Sequence, residues 1–155
     1  MRPIPPLVLL ATLLGSRALA RLSHASPPPD ALQGAALALA LAVPGTTVAG
    51  IVAFRRHRTT IDPRRPDRAS TLVTGGVFGV TRNPMYVGMV CVAGGNALAT
   101  GGWAAWLPPL AFVAWLDRVQ IAAEERALHA NFGAAFAAYA ARTGRWLGRG
   151  RASRR

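Results

Sequence analysis

The chain has 155 residues, enough for one domain, and 52% of them are hydrophobic while 15% are charged. This balance excludes an ordinary soluble domain and is typical of a small membrane protein. The net charge of +12 does not indicate a nucleic-acid partner, because the basic residues, all arginine, flank long uncharged apolar stretches as the positive-inside rule describes.

The first apolar segment, Leu7–Leu22, is short for a membrane span and is interrupted by Arg17. Arg17 and Arg21 lie one helical turn apart, so both could extend towards a membrane surface, which favours a retained helix. A signal peptide is the alternative, with Leu7–Leu14 as its apolar region and Ala18-Leu19-Ala20 as its cleavage site.

Three further apolar segments predict helices: Ala31–Phe54, which Asp30 caps; Pro84–Ala99; and Trp103–Ile121. Prolines are expected to kink the second segment at Pro44 and to bend the last one at Pro108-Pro109. Gly101-Gly102 predicts a hairpin turn. The connection 55–68 is rich in arginine and the turn at 101–102 is uncharged, so the pattern predicts four spans with both termini in the cytoplasm.

The chain becomes amphipathic after Asp117, and apolar residues recur at helical spacing up to Tyr139. Asn131-Phe132-Gly133 predicts a break between two short helices. We expect this segment to lie on the membrane surface or to cover a pocket. The sequence thus predicts one domain over 1–147 and a basic tail over 148–155.

Two patches concentrate the groups that are capable of chemistry. In the first, Gly75-Gly76-x-x-Gly79 permits a ligand to approach the backbone closely, and Asn83-Pro84 is typical of a helix start. Such a start favours an anionic group, and Phe78 and Tyr86 offer aromatic faces to a cation. An ordinary helix cap at the point of membrane entry explains the pattern equally well.

The second patch contains Glu124 and Glu125, two of only six acidic residues in the chain. One interpretation pairs them with Arg118, Arg126 or the basic loop. The other makes them the carboxylates that bind a cationic or hydroxyl-bearing ligand, because a glutamate at the end of a span is costly without a partner. One cysteine and three scattered histidines exclude an internal disulfide and predict no metal site.

The order of these motifs resembles the isoprenylcysteine carboxyl methyltransferase family, in particular its small bacterial members, which are related to phospholipid N-methyltransferases. The resemblance runs from about Thr59 to Leu147. Its motifs are Thr59-Thr60-Ile61-Asp62-Pro63, Leu72-Val73-Thr74-x-Gly76, Thr81-Arg82-Asn83-Pro84-Met85-Tyr86-x-Gly88, Gln120-Ile121, Glu124-Glu125-Arg126-x-Leu128, Phe132-Gly133, Tyr139 and Arg145-Trp146.

The resemblance implies an all-α integral membrane methyltransferase of the bacterial inner membrane that uses S-adenosyl-L-methionine, with its active site facing the cytoplasm. A C-terminal helical segment would cover the cofactor pocket, and a lipophilic acceptor would enter from the bilayer. The implied cofactor contacts are Gly76, Val77, Phe78, Asn83, Pro84, Tyr86, Glu124 and Glu125. The implied catalytic residues are Glu125, with Arg82 or Arg145 orienting an anionic group of the acceptor.

The sequence departs from the family where a Pro-Tyr-Arg-like run is usual and Val77-Phe78-Gly79 stands instead. Asn83 stands where the eukaryotic enzymes have histidine, so carboxyl methylation of a prenylated cysteine does not follow. A phospholipid or small-thiol methyltransferase is the alternative enzyme. A membrane protein that keeps the fold without activity is the non-enzymatic alternative. A nucleic-acid-binding protein is the most distant.

Overall fold

The computed structural model describes residues 3–26, 28–41, 45 and 72–148. Five α-helices lie within these described residues: α1 (Pro5–Leu22), α2 (Asp30–Leu41), α3 (Pro84–Thr100), α4 (Leu107–Trp115) and α5 (Ala122–Arg142). Short 3₁₀ turns cover Gly76–Gly79 and Trp103–Trp106, and a π-helical turn, Leu116–Ile121, joins α4 to α5. The described residues are therefore helical, as the composition predicts. The end of the second apolar segment beyond Leu41, the loop 55–68 and the tail 149–155 lie outside them.

Prolines begin helices in this chain. The Pro5-Pro6 pair lies in the first turn of α1, and Pro108-Pro109 lies in the first turn of α4. The first-turn N–H groups of a helix have no partner within the helix, so proline loses nothing there. The predicted bend at Pro108-Pro109 is therefore wrong: the prolines stand at the start of α4, after the 3₁₀ turn. The predicted single helix 103–121 is likewise a succession of 3₁₀, α and π segments.

The chain forms two compact units, of which the first comprises Met1–Gly45 and Tyr86–Gln120. Within it α1 packs against the turn Trp103–Trp106 and against α4. Small residues make the contacts close, since a cluster of Ala20, Ala97 and Ala105 is buried. Both interpretations of the first apolar segment, a retained helix and a signal peptide, stay predictions.

Backbones approach each other closely in two places of the first unit. A Cβ on Gly95 of α3 would lie 2.8 Å from the carbonyl oxygen of Ala36 on α2. The turn after α3 has φ values of +79° at Gly101 and +76° at Gly102, a conformation that side chains disfavour. The predicted turn at Gly101-Gly102 is confirmed, and glycine is required there by both conformation and space.

The second unit comprises Thr46–Met85 and Ile121–Arg155. Its apolar cluster is made by Val73, Phe78, Phe136 and Tyr139, with Leu128 and Phe132 packed against it. Inside α5, Gly133 has φ +47° and ψ −118°, which is not helical. The predicted break at 131–133 is confirmed as a kink at Gly133, and it allows both halves of α5 to contribute to the cluster.

Among the residues that the structure describes, α1 alone is long enough and apolar enough to cross a membrane. The helix α2 is apolar but shorter over its described residues. The predicted set of four spans goes beyond this finding and stays a prediction.

Candidate functional site

A carboxylate between two guanidinium groups is the central feature of the second unit. Glu125 on α5 accepts from Arg82, with 2.9 Å between Arg82 Nη2 and Glu125 Oε1. Arg145 binds the same carboxylate through two nitrogens, Nη2 on Oε2 and Nε on Oε1, the latter at 3.2 Å. The three side chains are between 14% and 30% exposed. One negative charge thus orients two positive ones, and the cluster keeps a net positive charge.

Backbone hydrogen bonds hold the two arginine-bearing segments side by side. The Arg82 N–H donates to the carbonyl of Gly144 at 3.0 Å. The Thr81 hydroxyl and the Asn83 side-chain nitrogen both donate to the carbonyl of Arg145, at 3.2 and 2.9 Å. Thr81 also accepts from the Asn83 N–H at 3.1 Å. Residues more than 60 positions apart in sequence are therefore fixed against each other by a short polar ladder.

The glycine-containing turn is anchored by a tyrosine of α5. The Tyr139 hydroxyl donates to the carbonyl of Phe78 over 2.7 Å. Burial raises the pKa of Tyr139 to about 12, although the positive charge of Arg82 acts in the opposite direction. The hydroxyl therefore stays protonated and able to donate at physiological pH, and it fixes the turn to the C-terminal half of α5.

Arg82 combines partnered and unpartnered groups. Its guanidinium carbon lies 5.8 Å from the centre of the Phe136 ring, within the distance of a cation–π contact. Its Nε is buried and has no hydrogen-bond partner among the described residues. A buried N–H without an acceptor costs free energy, so this atom is a candidate for binding an anionic or carbonyl group of a ligand.

The structure brings most of the site residues that the sequence predicts into this one unit. Glu125 lies against Arg82 and Arg145, and the Asn83 side chain is bound to the carbonyl of Arg145. Of the two predicted roles of Glu125, ion pairing is observed, with Arg82 and Arg145 as the partners instead of Arg118 or Arg126. Ligand binding at Glu124 and Glu125 stays a prediction.

The remaining predicted contacts are placed differently. The Phe78 ring is 6% exposed and belongs to the apolar cluster, so a ligand would meet the backbone of this turn instead of the ring. Val77 packs against the same cluster, and Pro84 is fully buried. Tyr86 is buried and belongs to the first unit. Cofactor contacts at these four residues stay predictions.

Sequence reasoning missed three residues that organise the site: Thr81, Phe136 and Tyr139. Thr81 and Tyr139 are visible only as members of the resembled motifs, and Phe136 only as an apolar position of an amphipathic helix. Their roles depend on contacts across about 60 residues of sequence. No local pattern reports such contacts.

The sequence profile of a family described as phospholipid methyltransferase matches residues 32–135. This match spans more than half of the chain and includes Arg82, Asn83, Glu124 and Glu125. The chain belongs to the phospholipid methyltransferase family. Neither a search of curated proteins nor a search of solved structures found a significant match.

Membership of the phospholipid methyltransferase family indicates a methyltransferase that is associated with membranes. The isoprenylcysteine carboxyl methyltransferases, which the sequence resembles, are a related family in the same group. Their acceptor specificity gains no support from this match. Over the described residues no group of three or more His, Cys, Asp or Glu could hold a metal ion.

Proposed function

We propose that this phospholipid methyltransferase family member transfers a methyl group from S-adenosyl-L-methionine to a lipid acceptor at the cytoplasmic face of the bacterial inner membrane, on a scaffold of four membrane spans. The Arg82–Glu125–Arg145 cluster carries the proposal. It places charged groups of both signs at the start of α3 and on α5, the two places where the family resemblance predicts ligand contacts.

The residues present fit the proposed cofactor. At Gly75 and Gly76 no heavy atom of the described residues lies within 4 Å of the position a Cβ would occupy, and Gly76 has φ +60°. A ligand can therefore approach this backbone closely. Glu124 would bind the amino group or ribose hydroxyls, and the Asn83 amide oxygen would accept a further hydrogen bond. When bound, S-adenosyl-L-methionine supplies a methyl group on a positively charged sulfur. This positive charge is compatible with the nearby carboxylates.

The chain's own residues would then bind and orient the acceptor. Glu125 holds both guanidinium groups in fixed directions, so they need no reorganisation when a substrate arrives. Arg82 would direct its free Nε–H at an anionic group of the acceptor, and Arg145 would add a second positive charge. In-line methyl transfer depends chiefly on such positioning.

The family description favours a phospholipid amine as the acceptor. Its neutral nitrogen would attack the methyl carbon, the carbon–sulfur bond would break, and the new ammonium would lose a proton to water. The phosphate of the same headgroup would bind Arg82. A carboxylate acceptor, as in the isoprenylcysteine-like reading, is the second candidate, because planar guanidinium groups bind carboxylates in a bidentate manner.

Calorimetric titration of S-adenosyl-homocysteine into the purified protein in detergent tests the proposal. We expect saturable binding to the wild type and to Asp30→Asn, which removes a carboxylate of the first unit. Glu124→Gln, which removes the carboxylate that would bind the amino group or ribose hydroxyls of the cofactor, should bind at least about tenfold more weakly, in line with the loss of one charged contact. A folded wild type that binds nothing would support the non-catalytic alternative.

Transfer of a labelled methyl group then identifies the acceptor. Vesicles containing phosphatidylethanolamine should become labelled, and vesicles of phosphatidylcholine alone should not. Labelling of a prenylated cysteine peptide in place of phosphatidylethanolamine would make a carboxylate the first acceptor candidate and a phospholipid amine the second.

A further inference from the structure

A cavity of about 370 Å³ lies in the first unit between the C-terminal ends of α1 and α3. Three side chains that carry or can carry positive charge line it, Arg17, Arg21 and His24, together with the polar side chains of Asn96 and Thr100 and three alanines. Its volume falls within the range of roughly 300–1,000 Å³ that is common for small-ligand sites. The cavity plays no part in the site described above.

The two arginines of this cavity lack a counter-charge within the described residues. Neither Arg17 nor Arg21 forms an ion pair with a residue that the structure describes. Because they are four residues apart on a helix, their side chains lie on the same face and repel each other. The backbone carbonyls of the last turn of α1 reduce this repulsion little, because they already accept backbone hydrogen bonds. The carbonyls of Leu19, Ala20 and Arg21 accept from the N–H groups of Ser23, Ala25 and His24.

The walls of the cavity are fixed in advance. The Asn96 side-chain nitrogen donates to the carbonyl of Leu13 at 3.3 Å, and the Thr100 hydroxyl donates to the carbonyl of Asn96 at 2.6 Å. His24 has φ +50°, so a tight turn places its imidazole beside the end of α1. Two guanidinium groups thus converge on one space whose walls are held by internal hydrogen bonds, an arrangement that suits a phosphate group.

An exposed apolar stripe leads directly into this cavity. Leu7, Leu10 and Leu14 on α1 are 60%, 52% and 57% exposed. Their spacing of three and four residues continues to Arg17 and Arg21, so all five positions share one face of α1. An acyl chain lying on the leucines would bring the phosphate of the same lipid to the arginines. A free phosphate ion would leave the leucines uncovered.

We infer that this face of α1 is a binding site for one anionic phospholipid, with its phosphate between Arg17 and Arg21 and an acyl chain along the leucine stripe. The site is separate from the acceptor site of the proposed function. The residues that line the cavity all belong to the first unit, whereas Arg82, Glu125 and Arg145 belong to the second. The bound lipid would offset one of the two arginine charges and anchor the first unit in the membrane.

Native mass spectrometry of the purified protein with added phosphatidylglycerol tests this inference without measuring enzymatic activity. The wild type should retain one phosphatidylglycerol in preference to phosphatidylcholine. Arg17→Gln/Arg21→Gln should lose about 30-fold in affinity, or roughly fivefold for each arginine. The matched control Arg118→Gln/Arg142→Gln removes the same charge from exposed positions elsewhere and should stay within about twofold of the wild type.

Two further variants keep the test decisive if the double mutant does not fold. Arg17→Lys/Arg21→Lys retains the charge and should retain most of the affinity, whereas Arg21→Gln alone should lose roughly fivefold. Unchanged affinity in both glutamine variants, or an equal loss in the control, would overturn the site. An arginine pair alone holds a free anion only weakly at ~10 mM. Displacement of the lipid by inorganic phosphate at that concentration would therefore overturn the lipid assignment, because it would show that the acyl chain adds nothing to the affinity.

Discussion

The two units of the molecule use arginine in opposite ways. In the second unit Arg82 and Arg145 share the Glu125 carboxylate, and their orientation is fixed within the protein. In the first unit Arg17 and Arg21 face a cavity and form no ion pair with a described residue. Arginines that share a carboxylate are pre-oriented for a reaction, whereas an arginine pair without one favours the binding of an external anion. The same residue type therefore indicates different functions according to the carboxylates near it.

Glu125→Gln should have the largest effect, because it removes the difference between the two units: Arg82 and Arg145 become an arginine pair without a carboxylate. Methyl transfer should fall by roughly 10²–10³-fold in kcat/KM, as expected when oriented charges in a site lose their anchor. A radiochemical assay with labelled S-adenosyl-L-methionine measures the loss. Asp30→Asn serves as the control and should retain wild-type activity; equal activity of Glu125→Gln would show that the ion pairs have no role in the reaction.

Arg82→Gln separates acceptor binding from cofactor binding in the second cluster. Loss of the buried Nε–H and of one charge should raise the KM for the lipid acceptor by about tenfold or more. Affinity for S-adenosyl-homocysteine should change much less. The exposed Arg126, next to Glu125 in sequence, gives the matched variant Arg126→Gln, for which neither quantity should move. An effect of Arg82→Gln on the cofactor alone would assign this arginine to the cofactor.

Gly102→Ala tests whether the first unit depends on its backbone turn as the second depends on ion pairs. A Cβ at Gly102 would lie 2.6 Å from the Cβ of Ala25, and φ is +76°. Strain of this kind costs of order 1–3 kcal/mol. Thermal unfolding in detergent should show the loss. Gly34→Ala, on the exposed face of α2 where a Cβ meets nothing within 4 Å, should be neutral or stabilising; a similar loss there would remove the conformational explanation.

Tyr139→Phe has the smallest expected effect and concerns the anchoring of the turn in the second unit. It removes the hydrogen bond to Phe78 and should lower the free energy of unfolding by about 1 kcal/mol at neutral pH. The wild type should also lose stability as pH rises from 10 to 12. In that window the unfolded tyrosine, with its ordinary pKa, releases its proton while the folded one, with a pKa of about 12, keeps it.

Denaturation monitored between pH 9 and 12 checks this dependence, and the absorbance of tyrosinate reports the ionisation itself. Tyr139→Phe should show a flatter profile over the same range. An identical slope in wild type and variant would place the alkaline sensitivity at another group.

The sequence determined the class of the fold because helix formation depends on local composition. The apolar segments, the glycine turn at 101–102 and the break at Gly133 were predictable, since glycine and helical periodicity act within a few residues. The bend at Pro108-Pro109 was predicted wrongly. Proline restricts the helix in which it lies, but the sequence does not say whether that helix began several residues earlier or begins at the proline itself.

The site was predictable as a set of residues and not as an arrangement. Motif order selected Arg82, Asn83, Glu125 and Arg145, and it also implied the methyltransferase class. Charge alone proposed Arg118, Arg126 or the basic loop as partners of Glu125. The structure instead pairs Glu125 with Arg82 and Arg145.

By itself, therefore, the sequence determined that this is a helical, apolar, arginine-rich methyltransferase family member and which residues carry its polar chemistry. Among the described residues, only the tertiary structure decided which arginines share a carboxylate. Pairing at Glu125 depends on the polar ladder between Thr81–Asn83 and Gly144–Arg145, and the open arginine pair depends on how α1 meets the end of α3. Both are set by packing between distant segments, over distances in sequence at which composition and periodicity carry no information.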